Sequence, residues 1–301
     1  MIRYLSQFTL LIMLLLLSQS GIASDDTWYF KAKAYAQQTS YQDSIIRESL
    51  DSAGLVFSID YLDKSELKLG VFQQDISFLP TSSITDIEEV GALLAYQHHF
   101  FSDAGSFTLR LDAYHIEDES NFIDMIDIAN PIIAYINNTK TFYADLGYSV
   151  SRYRADNPLV EDLDIAQITP TLGFGLNDNF DWLQLRGYFI SPSLSNRLPD
   201  DEDKSAVEIK WIHWFSTSIL GIDKIAVNLL AGERLFAVDS DTNTVYNLAD
   251  IQTKSAALTI DWKFGKSTHL AVSGGSTDYE SLFTNEIYSS KYLYLNISTQ
   301  W

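Results

Sequence analysis

The chain has 301 residues, no cysteine, 46% hydrophobic and 13% aromatic residues, and 40 acidic against 20 basic side chains. Without cysteine there is no disulfide scaffold, no thiolate metal site and no cysteine nucleophile. The formal charge of −20 argues against nucleic acid, which selects a basic face, while a mean hydropathy of −0.04 excludes an acidic disordered polymer.

A soluble secreted β-protein and a membrane β-barrel both fit these numbers. The first element narrows the choice. Arg3 precedes an apolar stretch densest from Leu10 to Leu17, and small residues follow at Gly21 and Ala23. This layout predicts a secretory signal peptide over 1–23, with cleavage after Ala23 or Ser24. The apolar stretch is too short to cross a bilayer as a helix, which takes about 20 residues. The mature unit is then 24–301, one domain, in which no later segment reaches that apolar length.

The mature chain reads as a series of alternating strands. Leu55, Phe57, Ile59 and Tyr61 alternate with Val56, Ser58 and Asp60; Phe107, Leu109, Leu111 and Ala113 alternate with Thr108, Arg110, Asp112 and Tyr114. The same period of two runs through 142–150 and 256–264, placing one residue set on each face of a sheet. About 14 strands are predicted, with boundaries uncertain by a few residues. They lie near 27–37, 53–62, 66–76, 89–101, 105–115, 130–138, 141–153, 164–176, 181–191, 205–215, 223–235, 254–264, 267–275 and 289–301. Pro131 suits the start of the sixth strand, whereas Pro170 lies inside the eighth and is harder to place.

Links between strands alternate in length. Tight turns at 63–65, 102–105, 139–140, 177–179 and 265–266, with a slightly longer one at 216–222, alternate with longer links. The longer links are 38–52, 77–88, 116–129, 154–163, 192–204, 236–253 and 276–288. A transmembrane barrel sorts its links this way, with short periplasmic turns and long outer loops. At the short-turn ends of one face stand Phe30, Tyr61, Phe100, Phe107, Phe142, Phe215, Phe264 and Trp301, the pattern of an interfacial aromatic girdle.

Leu293, Leu295 and Ile297 alternate with Tyr292, Tyr294, Asn296 and Ser298 up to the terminal Trp301. This resembles the C-terminal sorting signature of bacterial outer-membrane β-barrel proteins, with Trp where Phe is usual and Thr299 at an often aromatic place. In strand number and size the chain looks most like the monomeric fourteen-stranded porins. Long-chain fatty-acid transporters share that strand count but carry an N-terminal hatch, for which a first strand beginning at Thr27 leaves no residues. The resemblance implies an all-β transmembrane barrel without a plug domain, in the outer membrane of a Gram-negative bacterium. It also implies the barrel-assembly machinery, lipopolysaccharide and outer-membrane lipid as partners.

Enzymatic readings find little support. Outer-membrane phospholipases and lipid A deacylases place His two residues before Ser on one strand face. Residues two places after His98, His99, His115, His213 and His269 are Phe100, Phe101, Glu117, Phe215 and Ala271. The Asp-before-His pair of omptin-type proteases is missing as well, so no catalytic residue is expected. The adjacent His98 and His99 point to opposite faces and make a poor metal pair. In the link at 239–250, Asp239, Asp241, Asn243, Val245, Asn247 and Asp250 follow a calcium-loop spacing, but Thr244 replaces the turn glycine. Calcium there is the one cofactor considered; none is otherwise expected.

Charge is unevenly placed. The long links hold roughly 23 acids against about four bases, including Glu117-Asp118-Glu119, Glu161-Asp162 and the acidic run 200–203. If the apolar face meets lipid, Lys31, Lys33, Lys68, Arg110, Arg186, Lys210, Arg234 and Lys263 line the lumen. Asp60, Asp112, Asp145, Glu208 and Asp261 join them, with Glu66 and Asp181 near the short-turn rim. Isolated charges in a dry interior would be prohibitively costly, so the pattern predicts a water-filled pore. The expected function is a monomeric, passive channel for small hydrophilic solutes or ions, with Arg110, Arg186 and Lys210 setting selectivity. An adhesion, assembly or export barrel engaging a protein or polysaccharide is the alternative, and an enzyme with an unrecognised site comes third.

Overall fold

The computed structural model describes residues 27–82, 84–118, 125–155, 157–199, 202–219, 221–242, 244–246, 250–282, 284 and 286–301. The expected signal peptide, and Glu119, Asp200, Asp201, Asn243 and Asn247, lie outside the described residues. The strands are β1 (Trp28–Gln42), β2 (Arg47–Tyr61), β3 (Ser65–Phe78), β4 (Ile87–Phe101), β5 (Gly105–Asp118), β6 (Met125–Asn137), β7 (Phe142–Arg154) and β8 (Leu163–Leu176). There follow β9 (Asp181–Pro192), β10 (Lys204–Ile219), β11 (Ile222–Arg234), the short β12 (Val238–Asp239) and β13 (Thr244–Val245), β14 (Asp250–Phe264), β15 (Thr268–Ser281) and β16 (Ile287–Gln300).

Fourteen of these close into one antiparallel barrel, each paired with its chain neighbours; β11 passes over the β12–β13 hairpin to pair with β14. Closure is made by β16 on β1, with Ala34 opposite Ile297. Phe30 and Trp301 exchange backbone hydrogen bonds of 2.9 Å in both directions. A closed ladder leaves no edge strand to recruit another chain.

The strands are longer than the alternation predicts. They run from 12 residues in β9 to 16 in β10, where a tilted membrane strand needs about 9–11. The extra residues come mainly from the long links: 38–52 contracts to 43–46, 116–129 to 119–124, and 276–288 to 282–286. The link 236–253 stays long, as 235–249. A change of phase explains the difference. On β5, Phe107, Leu109 and Leu111 are exposed on the outer wall, but further along the buried residues are Tyr114 and Ile116, facing inward. His115 and Glu117 take the outward positions there. β8 repeats the inversion, with Ile168 and Leu172 exposed outside and Leu163 and Ile165 buried inside. Within a bilayer the apolar set faces lipid; beyond it water lies outside, and the apolar set turns inward. The strand continues while its hydrophobic phase flips, which in sequence looks like a strand end.

Both prolines sit inside strands, Pro131 included, which is not the start of β6. The β6–β7 ladder skips from Ala129–Val150 to Ile132–Gly147, and β8–β9 from Ile168–Phe189 to Thr171–Arg186. Each proline lacks an N–H, so the interruptions fall beside them. The expected 216–222 link is mostly strand, because β10 continues to Ile219 through an irregularity after Trp214.

On the outer wall Tyr61, Phe100, Phe107, Phe142 and Phe264 are exposed at the short-turn end. Trp28 joins them, its ring 4.6 Å from Tyr61, and Phe107 lies 4.9 Å from Tyr135. Leu293 is exposed on the same face as Leu295 and Ile297. This continuous apolar band, ending in aromatic rings, makes the molecule a membrane-spanning barrel.

Candidate functional site

The described part of the link 235–249, residues 235–242 and 244–246, does not project outward. After Arg234 the chain bends at Phe236, whose φ of 49° is a left-handed conformation unusual for a bulky side chain. Leu235, Phe236, Ala237 and Val238 are all buried. They share one apolar cluster with inward residues of the outer half, among them Tyr114, Ile128, Tyr153, Ile165 and Ile190, and with Leu198 from 193–203. The rings of Phe236 and Tyr153 lie 4.9 Å apart. Removing each such large side chain from water contributes roughly 1.5–3 kcal/mol. The hairpin β12–β13 then turns back, with Val238 opposite Val245. Gln167 on β8 clasps its backbone from the wall: the side-chain amide donates to Val238 O at 2.8 Å and accepts from Val238 N at 3.0 Å.

Charge holds the tip. Arg186 on β9, 3% exposed, donates from Nη1 to Asp239 Oδ1 at 3.0 Å and from Nη2 to Asp241 Oδ1 at 2.8 Å. Its Nε donates to Thr171 Oγ1 at 3.1 Å. Lys210 on β10 reaches Asp241 Oδ2 at 3.3 Å, and Gln184 donates to the same oxygen at 3.1 Å. Arg110 on β5 pairs with Asp112 at 2.7 Å and donates from Nη2 to Ser240 O at 2.9 Å. Loss of solvation raises the Asp241 carboxyl, but Arg186 and Lys210 outweigh it and hold the group well below the usual carboxylate range. At the base of the loop Arg234 donates to Gln252 at 2.7 Å and lies between the rings of Tyr188 and Tyr246, 5.0 and 4.0 Å from their centroids. Glu208 approaches it at 3.9 Å.

Arg110, Arg186 and Lys210, expected to line an open pore, therefore converge on a loop that occupies part of it. The carboxylates of the calcium spacing are engaged by cations as well: Asp239 by Arg186, Asp241 by Arg186 and Lys210, and Asp250 by Arg47, with the Tyr288 hydroxyl also donating to Asp250 at 2.6 Å.

In the short-turn half the inward positions carry the expected charged residues. Lys31 lies 3.5 Å from Asp60 and 3.7 Å from Glu66, and Lys68 lies 3.2 Å from Glu66. Lys33 sits over the rings of Tyr35 and Tyr294, 5.6 and 5.7 Å from the centroids. Asp145 accepts from Tyr143 at 2.6 Å, and Asp261 is 3.6 Å from Lys224, while Lys263 is exposed near the rim. Inward residues of this half are charged and mostly paired with one another across strands. The outer half departs from this pattern, because its inward positions carry the apolar set that packs the loop. Asp181 corrects the inward assignment: it lies on the outer wall, accepting from Trp211 Nε1 at 3.2 Å and 2.8 Å from His213 Nδ1.

Side-chain pairs across strands escaped the sequence, since spacing along one strand says nothing about register. Ser65 Oγ lies 2.7 Å from His98 Nδ1 on the outer wall, while His99 faces inward to Thr108 at 2.7 Å. Asp223, Asp261 and His269 place one ligand atom each within 4.8 Å of one another near the short turns, with Lys224 against Asp261.

No protein-family profile matches the chain, and no curated protein resembles it in sequence. Solved structures do resemble it. A TodX monoaromatic hydrocarbon channel lacking a segment designated S2S3 has a TM-score of 0.55 at 10% identity, covering 92% of this chain and 91% of its own. The CymD monoaromatic hydrocarbon channel has 0.55 at 7% identity, covering 92% and 89%. The toluene transporter TbuX of Ralstonia pickettii has 0.53 at 10% identity, covering 92% and 90%. At such identities the likeness is one of fold: the closed fourteen-strand architecture of Gram-negative outer-membrane barrels.

Proposed function

We propose that this outer-membrane barrel is a passive, monomeric channel without enzymatic activity, whose conductance is set by the infolded 235–249 link. The observation that carries this reading is the loop tip, Asp239–Asp241, gripped by Arg186, Lys210 and Arg110 above a polar, mixed-charge vestibule. Charges that face one another across a lumen need water around them, and water-filled passages admit ions and small polar solutes. A loop held by ion pairs narrows such a passage and leaves it responsive to whatever breaks the pairs.

The apolar inner wall of the outer half favours a second cargo, small apolar molecules. The matched structures described as a monoaromatic hydrocarbon channel and a toluene transporter add support through fold alone. Planar-bilayer recording in a salt gradient separates the two. The polar-solute reading expects a small, ion-selective conductance in the intact chain that grows in Asp239→Asn/Asp241→Asn. Silence in both proteins, with toluene reaching a lumen-trapped dye faster than in protein-free vesicles, would replace it with the apolar cargo.

A further inference from the structure

The inner wall formed by β15, β16 and β1 carries a track of tyrosines. Tyr35 on β1 and Tyr292 and Tyr294 on β16 stand at inward positions, each partly exposed. Glycines set their pose. A Cβ added at Gly54 would lie 2.6 Å from the Tyr35 ring, and one at Gly275 would lie 2.6 Å from the Tyr292 ring. Each ring therefore lies down across a glycine of the adjacent strand, and a ring held in this way offers a face to a passing solute. At the short-turn end of the track, Lys33 Nζ sits 5.6 and 5.7 Å from the centroids of Tyr35 and Tyr294. Lys31, Lys68 and Lys224 each hold a carboxylate, whereas Lys33 makes no ion pair among the described residues. Its row across the strands runs Val56, Lys33, Ser298, His269, Lys263, with two lysines, a histidine and no acid. Acids of the flanking rows are already engaged: Asp60 and Glu66 by Lys31 and Lys68, and Asp261, with Asp223 beside it, by Lys224 and His269. The infolded loop is clamped from β5, β8, β9 and β10, across the barrel from this wall.

We propose that Lys33, Tyr35, Tyr292 and Tyr294 form a binding site for an aromatic monocarboxylate of about the size of benzoate. The carboxylate meets the Lys33 ammonium and the ring stacks on the tyrosines. A part-buried ammonium without a counter-ion gains more from a carboxylate than one already paired, and a charge-assisted hydrogen bond is the stronger kind. Tyr35 and Tyr294, 5.7 Å apart and tilted by 30°, make a platform for one further ring in offset contact. A bare hydrocarbon would leave Lys33 unmatched, and a simple inorganic anion would leave the tyrosine faces unused. As a cargo site this rests on the channel reading; as a binding site it stands or falls by itself.

Saturation-transfer NMR of the full chain, refolded in detergent, tests it with benzoate as probe and protein-free detergent as the baseline. Transfer to the benzoate ring protons is expected. Lys33→Gln should weaken binding about tenfold and Tyr294→Leu about fivefold, with the strand signal in circular dichroism retained in both variants. Benzamide, which lacks the charge, and cyclohexanecarboxylate, which lacks the flat ring, should each bind more weakly than benzoate. Unchanged affinity in Lys33→Gln, or equal binding of either analogue, would overturn the site. Planar-bilayer recording keeps the two readings apart. An open channel with the same benzoate affinity in intact and variant chains removes the site and leaves the channel, whereas benzoate bound to a silent barrel removes passage and leaves the site.

Discussion

Arg186 shows what a single side chain commits this lumen to. A guanidinium 3% exposed needs its carboxylates, and both come from one loop. Asp239→Asn/Asp241→Asn leaves that charge uncompensated, a loss of about 3–5 kcal/mol for the docked loop. The expected result is larger single-channel conductance and faster proteolysis within 235–249 while the barrel stays folded. Acidity should act through the same contact. Because the docked Asp241 carboxyl is held below the free value of about 3.9, its contribution to docking is complete above that pH. It is lost as pH falls toward the docked value. Bilayer conductance should thus be flat between about pH 8 and 5 and rise below about pH 4; a rise on the alkaline side would contradict the assignment.

Among the strands, the inversion of hydrophobic phase assigns opposite roles to similar residues. Ile165 is buried inside β8, whereas Leu111 is exposed to lipid on β5. Ile165→Ala should cost about 2–5 kcal/mol, as in any packed core. Leu111→Arg should cost about 2–4 kcal/mol, because it sets a charge in the bilayer. Urea unfolding in lipid vesicles measures both, and a neutral Ile165→Ala would show that the outer half is not a packed core. The same inversion explains how far these strands were legible. Leu109 and Arg110 stand on the faces the alternation predicts, because the membrane part alternates in one phase. Ile126 and Ile128 fall within the predicted link 116–129, although they are strand residues buried in the interior. The candidate site was legible as residues and not as contacts: Arg186 and Asp239 are both plain in the sequence, but nothing in their spacing says they meet.

For the molecule as a whole, closure of β16 on β1 makes the wall, and the buried residues 235–239 occupy part of its interior. Replacing 237–246 with a short glycine-serine linker should leave the strand signal intact and raise conductance well above that of the intact chain. Unchanged conductance would mean that the loop does not limit flow. By itself the sequence determined strand identity, strand number, the sorting of short and long links and the lipid-facing set in the membrane half, because each is written in residues close along the chain. Tertiary structure alone decided that one acidic loop turns inward, that lumen cations clamp it, and that the apolar set changes sides beyond the bilayer. Those outcomes depend on which surface meets water and which charges meet across a closed barrel, and neither exists until the barrel closes.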